Sequence, residues 1–309
     1  MDTPQQASVV VTGGRGFIGR AVVKLLQRTG NRVISLDTGA PETARRNDGR
    51  VQEALCDITN TSQLQRVFET TRIDGIVHLA AVLPTTARRE PGRATQVNIQ
   101  ASQHMLEMGQ RFGVRRVVFG SSLSVYGTCP PDQVVSESRR AAPEDLYAAA
   151  KLYVEQLGDA YRQTHGLEFV SLRIGRVVGP GAQSVTSAWR SQIFEFLRSP
   201  SRAEISLPYI GAERMLLVHV DDVAKMLVAL LQASSLKHTI YNSVCEGVMV
   251  ADLKREVERL NPRISVPLGR SYSSGNPRRL NVKRLREELG VETVPMFEQL
   301  RKAAENAKP

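Results

Sequence analysis

The sequence predicts an α/β fold in which a doubly wound parallel sheet is followed by a smaller C-terminal lobe. In the first half of the chain, short apolar runs that suit buried strands alternate with longer amphipathic segments that suit helices. This alternation favours parallel strands with helices on both faces of the sheet. After about Gly179 the alternation becomes less regular, which suits a smaller lobe over the ends of the strands, where such sheets bind ligands.

Each predicted element follows from its local pattern. Residues 7–12 form a short apolar run, and residues 17–28 carry apolar side chains at positions 18, 22, 25 and 26, on one face of a helix. The same reasoning predicts, in chain order, strands 32–37 and 51–56, helix 61–70, strand 75–80, helix 93–112, strand 114–121, helix 144–164 and strand 167–173. We expect residues 1–180 to form one domain and residues 181–309 mainly the smaller lobe, with segments of about 214–245 returning to the large sheet.

The composition favours a soluble, cytoplasmic protein. Apolar residues make up 41% of the 309 residues and charged residues 23%, as in ordinary globular domains. The amino terminus lacks the pattern of an export signal, and the apolar stretch 215–231 carries Asp221, Asp222 and Lys225, which a membrane span would not expose to lipid. The three cysteines have no metal-ligand spacing, and their odd number fits a reducing compartment. We therefore expect no membrane association and no metal.

The net charge of +10 raises the question of an anionic partner. The basic excess is spread along the chain in short pairs such as Arg88-Arg89 and Arg139-Arg140. Aromatic residues make up only 5% of the chain and do not alternate with these pairs, so the pattern of a single-strand nucleic-acid platform is missing. We expect no nucleic-acid binding and a small anionic ligand instead.

The segment 12–19, Thr-Gly-Gly-Arg-Gly-Phe-Ile-Gly, follows a predicted strand and opens a predicted helix. Backbone N–H groups at a helix N-terminus can face a pyrophosphate, and glycine lets the pyrophosphate approach closely. The context of strand, turn and helix predicts a Rossmann-type dinucleotide site, so residues 1–180 are predicted to be an NAD(P)-binding domain.

Asp37 closes the second predicted strand. A carboxylate at this distance from the glycine turn accepts hydrogen bonds from the adenosine ribose hydroxyls and repels a 2′-phosphate, so NAD is favoured over NADP. Arg45 and Arg46 follow closely enough to keep NADP as an alternative.

Tyr147 and Lys151 stand four residues apart in a predicted helix, so their side chains lie on one face. A free tyrosine has a pKa of about 10 and is a poor base at neutral pH, whereas a nearby ammonium group favours the phenolate. The pair predicts that Lys151 lowers the pKa of Tyr147, which then takes or returns a hydroxyl proton. His78, in an apolar strand, is predicted to be a packed histidine rather than an acid or base.

These motifs together resemble the extended short-chain dehydrogenase/reductase family of NAD-dependent epimerases and dehydratases, and within it the UDP-sugar 4-epimerases. The resemblance covers about residues 8–181 and returns at 218–224. It implies that Ser122, Tyr147 and Lys151 are catalytic, with Lys151 also holding the nicotinamide ribose. It implies these cofactor contacts: Gly13, Gly16, Phe17, Ile18, Gly19, Asp37, Asp57, Ile58, Leu79, Ala80, Ala81, Asn98, Tyr147 and Lys151. It implies these substrate contacts: Leu83, Ser122, Ser124, Arg176 and Arg278.

The chain departs from the family pattern at several positions. Leu123 and Ser124 stand where dehydratases of the family carry an Asp-Glu pair, so loss of water is not expected. Arg176 stands where UDP-sugar epimerases carry an asparagine that contacts substrate phosphates, and it suits a phosphate or a carboxylate. The later Arg-Asp pair of those enzymes aligns with Met215-Leu216. Arg278 and Arg279 sit near the family's pyrophosphate-binding arginine, and they fit exposed surface residues equally well.

The sequence therefore predicts NAD(P)-dependent hydride transfer at a hydroxyl or ketone carbon of a sugar-like substrate, of the nucleotide-sugar epimerase or ketoreductase type. Two alternatives remain open at this point: a dehydrogenase of a free sugar or sugar acid, and a dinucleotide sensor without catalytic activity. The resemblance also implies a homodimer, paired through the helices predicted at 93–112 and 144–164.

Overall fold

The computed structural model describes residues 8–39, 49–181 and 187–305. The strands, in chain order, are β1 (Ser8–Thr12), β2 (Arg32–Asp37), β3 (Val51–Leu55), β4 (Ile73–His78), β5 (Arg116–Ser122), β6 (Val134–Val135), β7 (Glu168–Ile174), β8 (Arg176–Val178), β9 (Ala203–Glu204), β10 (Leu207–Tyr209), β11 (Arg214–His219), β12 (Ile240–Asn242), β13 (Glu246–Met249), β14 (Ile264–Ser265), β15 (Leu268–Ser271) and β16 (Arg279–Leu280). The α-helices are α1 (Phe17–Arg28), α2 (Thr61–Thr70), α3 (Pro84–Arg89), α4 (Pro91–Thr95), α5 (Ala101–Arg111), α6 (Leu146–His165), α7 (Trp189–Glu195), α8 (Val220–Gln232), α9 (Val250–Leu260), α10 (Lys283–Leu289) and α11 (Met296–Glu305).

A seven-stranded parallel sheet, in the order β12-β7-β5-β4-β1-β2-β3, forms the centre of the molecule. Strand β1 lies inside the sheet, and its residues Val9, Val10 and Val11 are buried because both faces are covered. The chain turns back at β1, so the order reverses between β1 and β4, and the carboxyl ends of these two strands flank a crevice where such sheets bind ligands. The predicted doubly wound α/β fold is confirmed.

The two faces of the sheet bury different sets of helices. On one face, Val22 and Leu26 of α1 pack with α8 against Val9 and Val11. On the other face, the side chains of α2 and α5 pack against Val10. Alternate side chains of β1 thus pack into the cores on opposite faces of the sheet, which is the pattern expected of a strand covered on both sides.

The smaller lobe has its own sheet and core. Strands β13, β11 and β8 form a three-stranded sheet, and helices α7, α9 and α11 pack on it around Trp189, Phe194 and Leu253. Strand β8, which begins at Arg176, belongs to this sheet. The division of the chain into a domain of residues 1–180 and a lobe of residues 181–309 stays a prediction. Of the segment predicted to return to the large sheet, α8 and β12 do so, whereas β11 does not.

The helix predicted over 93–112 is interrupted. It begins at Pro91, passes through a π-helical turn at Gln96–Gln100 and continues as α5 to Arg111. Such turns are uncommon and occur often at functional sites. This one carries Asn98, which is buried beneath the end of β4.

Neither a membrane span nor a metal centre is found in the described ranges. Their helices include none that is long and apolar enough to cross a membrane. Histidine, cysteine and carboxylate side chains form no group that could hold a metal ion there, and the three cysteines are free thiols.

Candidate active site

The glycine turn connects β1 to α1 at the edge of the crevice. Gly13 has a φ of +63°, a conformation that favours glycine, and a Cβ at this position would lie 3.0 Å from the backbone of Ala80. The N–H of Gly16 donates to the carbonyl of Gly13 at 2.9 Å. A Cβ on Gly19 would collide with the same carbonyl, so the first turn of α1 packs directly on the loop. Glycine at these positions leaves the backbone bare on the crevice side.

The start of α1 fits the diphosphate of a dinucleotide. Its capping residue, Gly16, is extended with φ −67° and ψ 171°, and within the described ranges no side chain caps the helix. The N–H groups of the first turn, at Phe17 and Ile18, carry the positive end of the helix dipole. A turn without side chains before an uncapped helix is the arrangement that binds phosphate groups. The predicted contacts at Gly13, Gly16 and the first turn of α1 therefore suit NAD geometrically.

Replacing Gly19 by alanine is expected to weaken NAD binding at least tenfold, because the new methyl group pushes α1 away from the Gly13 carbonyl. Overpacking of this kind costs about 1–3 kcal/mol. The matched control is Gly92→Ala, where an added methyl group meets open space at an ordinary φ. Titration of both variants with NAD by calorimetry checks this, and equal affinity in Gly19→Ala and Gly92→Ala would show that the turn does not bind the diphosphate.

Asp37 lies at the carboxyl end of β2, beside the glycine turn. Its carboxylate accepts the N–H of Arg15 at 3.1 Å and the N–H of Gly39 at 3.3 Å. These bonds fix a negative charge where the adenosine ribose of a dinucleotide would lie, and the charge opposes a 2′-phosphate. Arg45 and Arg46, which kept NADP open, lie outside the described residues.

We expect the chain to bind NAD more tightly than NADP, and Asp37→Ala to shrink the difference by about tenfold, because the variant no longer repels the 2′-phosphate. The control is Asp132→Ala, which removes an exposed carboxylate far along the chain. Fluorescence titrations with the two reduced cofactors measure the ratio. An unchanged ratio of NAD to NADP affinity in Asp37→Ala would show that Asp37 is not part of the cofactor site.

The end of β4 is tied to the glycine turn by Thr12. Its hydroxyl oxygen accepts the N–H groups of Leu79 and Ala80, each at 3.1 Å, and lies 2.6 Å from Nδ1 of His78. His78 is buried and its Nε2 contacts the Ser102 hydroxyl at 2.9 Å. Burial lowers the pKa of His78 to about 3, so the ring is neutral at physiological pH. The predicted packed histidine agrees with this environment.

Asn98 holds the segment that follows β4. Its side-chain carbonyl accepts the N–H of Val82 at 2.7 Å, and its amide donates to the carbonyl of Val82 at 2.9 Å. The side chain thus positions the backbone next to Ala81, while its direct contact with the cofactor stays a prediction. Leu83, the predicted substrate contact, is exposed at the start of α3.

Asp57 and Ile58 follow β3, where the family has its adenine-edge position. The Asp57 carboxylate accepts the N–H and the hydroxyl of Thr59 at 2.9 and 2.7 Å, which fixes the turn before α2. Ile58 is buried in the sheet core. Asp57 remains exposed, and the cofactor contact of both residues stays a prediction.

Tyr147 and Lys151 lie in the first two turns of α6. The helix begins after Asp145, whose carboxylate accepts the N–H of Ala148 at 2.7 Å. Lys151 is buried, donates from Nζ to the carbonyl of Gly120 at 2.7 Å, and its Nζ lies 5.6 Å from the centre of the Tyr147 ring. The two side chains share one helix face, as their spacing predicts.

Ser122 reaches the same place from the end of β5. Its Oγ accepts the N–H and the hydroxyl of Ser124 at 3.2 and 2.8 Å. It lies close enough to Tyr147 that its hydroxyl by itself would lower the pKa of the phenol. Because Ser124 donates to it, Ser122 keeps its own proton for the phenol or a substrate oxygen. The structure therefore brings the three predicted catalytic residues together.

The prediction that Lys151 lowers the pKa of Tyr147 is wrong for the chain without a bound cofactor. Burial, followed by the charge of Asp145, raises the pKa of Tyr147 to about 12. Burial likewise lowers the pKa of Lys151 to about 7, against the opposing effect of Glu155. The amine therefore loses its proton well below the pH at which the phenol would ionise, and it cannot stabilise the phenolate.

Glu155 is a buried carboxylate that sequence reasoning missed. It follows Lys151 by one turn of α6 and pairs with Arg173, whose Nη2 lies 2.6 Å from its Oε2. Its Oε1 also accepts the hydroxyl of Ser121 at 2.5 Å, next to Ser122. The four-residue spacing from Lys151 was a usable signal, because it places both side chains on one helix face.

A small cleft with a basic wall lies next to Ser122, beginning at Leu123. The lining residues are Leu123, Arg176, Arg214, Met215, Leu216, Ser273, Asn276 and Pro277. Arg176 lies over the ring of Tyr209 at 5.1 Å, and Arg214 is exposed. Arg278, whose predicted role was open, pairs with the buried Glu213 at 3.0 Å and lies beside the cleft rather than on the open surface. Arg279 remains half exposed.

Arg190 is a further residue that sequence reasoning missed. It lies in the first turn of α7, and burial together with the charge of Arg176 lowers its pKa to about 10. Its charge also acts on Tyr147 and would lower the pKa of the phenol. No local pattern marks this residue, because only the packing of the lobe on the sheet domain brings it to the site.

Comparison with known proteins finds UDP-sugar epimerases among the relatives of this chain. A UDP-glucuronate 4-epimerase from Thermodesulfobacterium geofontis (strain OPF15) is 30% identical over 235 residues, which cover 72% of this chain and 71% of that protein. A UDP-glucose 4-epimerase from Lacticaseibacillus casei is 33% identical over 175 residues, 56% of this chain, and the chain spans about half (52%) of that relative. The crystal structure of the Thermus thermophilus UDP-glucose 4-epimerase in complex with NAD superposes with a TM-score of 0.80 and 25% identity, covering 97% of this chain and 98% of that one.

A family model described as the NAD dependent epimerase/dehydratase family matches residues 9–243, from β1 through β12. The matched region contains the glycine turn, Ser122, Tyr147, Lys151 and Arg176. The resemblance inferred from the motifs and the predicted use of NAD are thereby confirmed at the level of the family. The chain belongs to the NAD-dependent epimerase/dehydratase family of extended short-chain dehydrogenases/reductases.

Proposed function

We propose that the chain catalyses NAD-dependent hydride transfer at a hydroxyl-bearing carbon of a nucleotide sugar, of the 4-epimerase type. The observation that carries the proposal is the position of Ser122 and Tyr147, which lie close enough for the serine to affect the pKa of the phenol and which adjoin a cleft lined by Arg176 and Arg214. Leu123 follows Ser122 directly and lines the same cleft. A substrate there would place an oxygen on the pair and an anionic group on the arginines.

In the proposed reaction, Ser122 binds the substrate oxygen and orients it towards the phenol of Tyr147. Tyr147 takes the hydroxyl proton during oxidation and returns it during reduction. Lys151, held by the Gly120 carbonyl on the same helix face as Tyr147, is placed to hold the nicotinamide ribose. NAD, when bound, supplies the hydride acceptor. The glycine turn, Asp37, Asp57 and the segment 79–81 are proposed to hold it.

Loss of water is not part of the proposed reaction. Elimination requires a second acid and base beside the oxidised carbon. Leu123 is buried, and the hydroxyl of Ser124 is used in a bond to Ser122. Neither side chain can replace the missing carboxylates. The site therefore supports reversible oxidation of the substrate carbon, with or without inversion of its configuration.

A second candidate is a net dehydrogenase of a sugar acid. It is favoured by Arg176, which replaces the asparagine that contacts phosphates in UDP-sugar epimerases, and by the buried Met215 and Leu216 where those enzymes carry an Arg-Asp pair. An arginine binds a carboxylate as readily as a phosphate. A sensor without activity is disfavoured, because it would have no use for the assembled catalytic residues.

The deciding experiment incubates the purified protein with NAD and a panel of UDP- and dTDP-hexoses, UDP-glucuronate, free aldoses, uronates and aldonates. Absorbance at 340 nm reports net NADH, and proton NMR reports the sugar. Conversion of a nucleotide sugar without net NADH supports the proposal, and net NADH with a free sugar acid favours the second candidate. Tight NAD binding with no turnover of any of these would contradict both. Self-association through α5 and α6 remains proposed.

A further inference from the structure

One wall of the cleft is a segment without regular secondary structure. Residues 272–278 connect β15 to β16, and Ser273, Asn276 and Pro277 of this segment line the cleft. Strand β15 pairs with β10 beside the core of the smaller lobe, whereas β16 pairs with β6, which lies between β5 and α6 in the chain. The segment, which we call the strap, therefore runs from the smaller lobe to the part of the chain that carries the proposed catalytic residues.

A buried carboxylate holds the strap on the side of the smaller lobe. Glu213 is 1% exposed and stands directly before β11. Its Oε1 accepts the hydroxyl of Ser273 at 2.7 Å, and its Oε2 accepts an N–H of Arg278 at 3.0 Å. The backbone of Glu213 is itself fixed, because its N–H donates to the carbonyl of Ile210 at 3.1 Å and its carbonyl accepts the N–H of Val250 at 2.9 Å. One fixed carboxylate thus binds both ends of the strap.

A second anchor holds the middle of the strap near the start of α6. The N–H of Gly275 donates to Oγ1 of Thr128 at 3.2 Å. The hydroxyl and the N–H of Thr128 in turn donate to the carboxylate of Glu144 at 3.0 and 2.7 Å. Glu144 directly precedes Asp145, the capping residue of the helix that carries Tyr147. The strap is therefore tied to both sides of the cleft by hydrogen bonds.

The ion pair with Glu213 also limits what Arg278 can do. Its guanidinium and the carboxylate carry opposite unit charges 3.0 Å apart, so at the distance of a bound substrate their electric fields largely cancel. A negative group in the cleft would instead meet Arg176 and Arg214, which line it. The direct substrate contact that the resemblance implies for Arg278 is therefore less favourable than a role in holding the strap.

We propose that Glu213 is a positioning residue of the substrate cleft, which holds the strap against the cleft by binding Ser273 and Arg278. Arg278 then serves this clamp and is not a ligand of the substrate. The strap itself contributes an uncharged wall, through Ser273, Asn276 and Pro277. The kinetic consequences rest on the proposed hydride-transfer function, whereas the clamp can be measured without turnover.

Hydrogen exchange measured by mass spectrometry tests the clamp in the ligand-free protein. In Glu213→Ala the amides of the strap, including that of Gly275, should exchange faster by about tenfold or more, because segments with few remaining contacts open more often. Arg278→Met should act in the same direction. Peptides from the large sheet should exchange as in the unmodified protein, which shows that each variant is folded. The matched control is Glu256→Ala, at a carboxylate of α9 that pairs with Arg259 at 2.7 Å, and it should leave exchange in the strap unchanged.

Steady-state kinetics with a nucleotide sugar that is turned over test whether the clamp positions the substrate. Glu213→Ala should raise KM by about tenfold, while kcat and NAD affinity change by less than about threefold, because the strap lines the cleft and contributes no proton carrier. Thr128→Val, which removes the second anchor, should raise KM in the same way but by less. Glu256→Ala should leave KM unchanged.

Glu213→Gln separates a clamp from a direct ligand. It keeps the shape of the side chain but removes its charge, so it weakens the clamp and leaves the charge of Arg278 unopposed. For a clamp, KM should rise, and the double variant Glu213→Gln/Arg278→Met should raise KM no further than the larger single effect, because the two side chains act as one unit. A lower KM in Glu213→Gln together with a higher KM in Arg278→Met would show that Arg278 binds the substrate, and it would overturn the proposal.

The two kinds of measurement distinguish failure of the clamp from failure of the proposed function. Unchanged exchange of the strap in both Glu213→Ala and Arg278→Met overturns the clamp, whatever the protein catalyses. Turnover of a nucleotide sugar with an unchanged KM in Glu213→Ala overturns the positioning role and leaves the proposed function standing. Absence of turnover with every nucleotide sugar counts against the proposed function, and faster exchange of the strap in the variants then still supports the clamp.

Discussion

Replacing Tyr147 by phenylalanine is expected to lower turnover by about 10² to 10⁴-fold, the loss that follows removal of a general acid or base. The ring keeps its partly buried packing against Val82, Ala87 and Ala94, so NAD affinity and the thermal midpoint should change little. Only the phenolic oxygen disappears, together with its interaction with Ser122. Steady-state kinetics on the true substrate measure the loss of turnover, and a calorimetric titration with NAD measures the cofactor affinity.

The control for Tyr147→Phe is Tyr153→Phe, a second tyrosine of α6 whose side chain is 47% exposed. It should keep full activity. The pH dependence provides an independent test, because a phenol with a pKa raised to about 12 has a phenolate fraction that grows about tenfold per pH unit through the neutral range. Rising oxidation rates with pH are expected in the unmodified protein and not in Tyr147→Phe. Turnover in Tyr147→Phe within about threefold of the unmodified protein would place the general base elsewhere.

Replacing Lys151 by methionine is expected to weaken turnover and NAD affinity together. The variant loses the bond to the Gly120 carbonyl and the proposed contact with the nicotinamide ribose. Turnover should not recover at pH 10, because the pKa of Tyr147 is raised to about 12 by burial rather than held down by the amine. Lys302→Met, at a half-exposed lysine, serves as the control. Unaltered NAD affinity in Lys151→Met would show that Lys151 does not contact the cofactor.

The ionisation of Lys151 should also affect how the free energy of unfolding depends on pH, which can be measured without an activity assay. Its pKa is about 7 in the folded chain against 10.5 ordinarily, so between these values the unfolded chain binds one proton more. The free energy of unfolding contributed by this group therefore rises with pH in that window, by about 1.4 kcal/mol per unit, and is lowest below pH 7. Urea denaturation of the ligand-free protein at pH 7 and pH 9 should show this rise, and Lys151→Met should lack it. Equal pH dependence in both would show that Lys151 keeps its charge in the folded protein.

The sheet domain could be predicted from sequence because its information is local. The strand of residues 8–12, the glycine turn and the helix that begins at Phe17 follow one another without interruption, and each has its own signal. The catalytic residues could be predicted for a related reason: the four-residue spacing of Tyr147 and Lys151 fixes their common face. The π-helical turn at Gln96–Gln100 could not, since an extra backbone residue leaves the apolar pattern almost unchanged.

The ionisation of the site could not be predicted from sequence, because it depends on burial by distant elements. The spacing of Tyr147 and Lys151 predicts a charged amine beside the phenol, whereas desolvation in the folded chain favours the neutral form of both groups. Arg190 was missed for the same reason. Its helix, α7, packs in the core of the smaller lobe, and only that packing brings its charge near enough to affect the pKa of Tyr147.

In the proposed reaction Tyr147 handles only the proton on oxygen, and NAD, when bound, would accept and return the hydride of the reacting carbon. The most direct measurement is the reaction run in D₂O with the nucleotide sugar that is turned over, followed by NMR of the product. A hydride held by NAD does not exchange with solvent, so the product should carry ordinary hydrogen at the inverted carbon. Deuterium at that carbon would mean that the proton is taken from carbon and returned by solvent, and it would contradict direct hydride transfer.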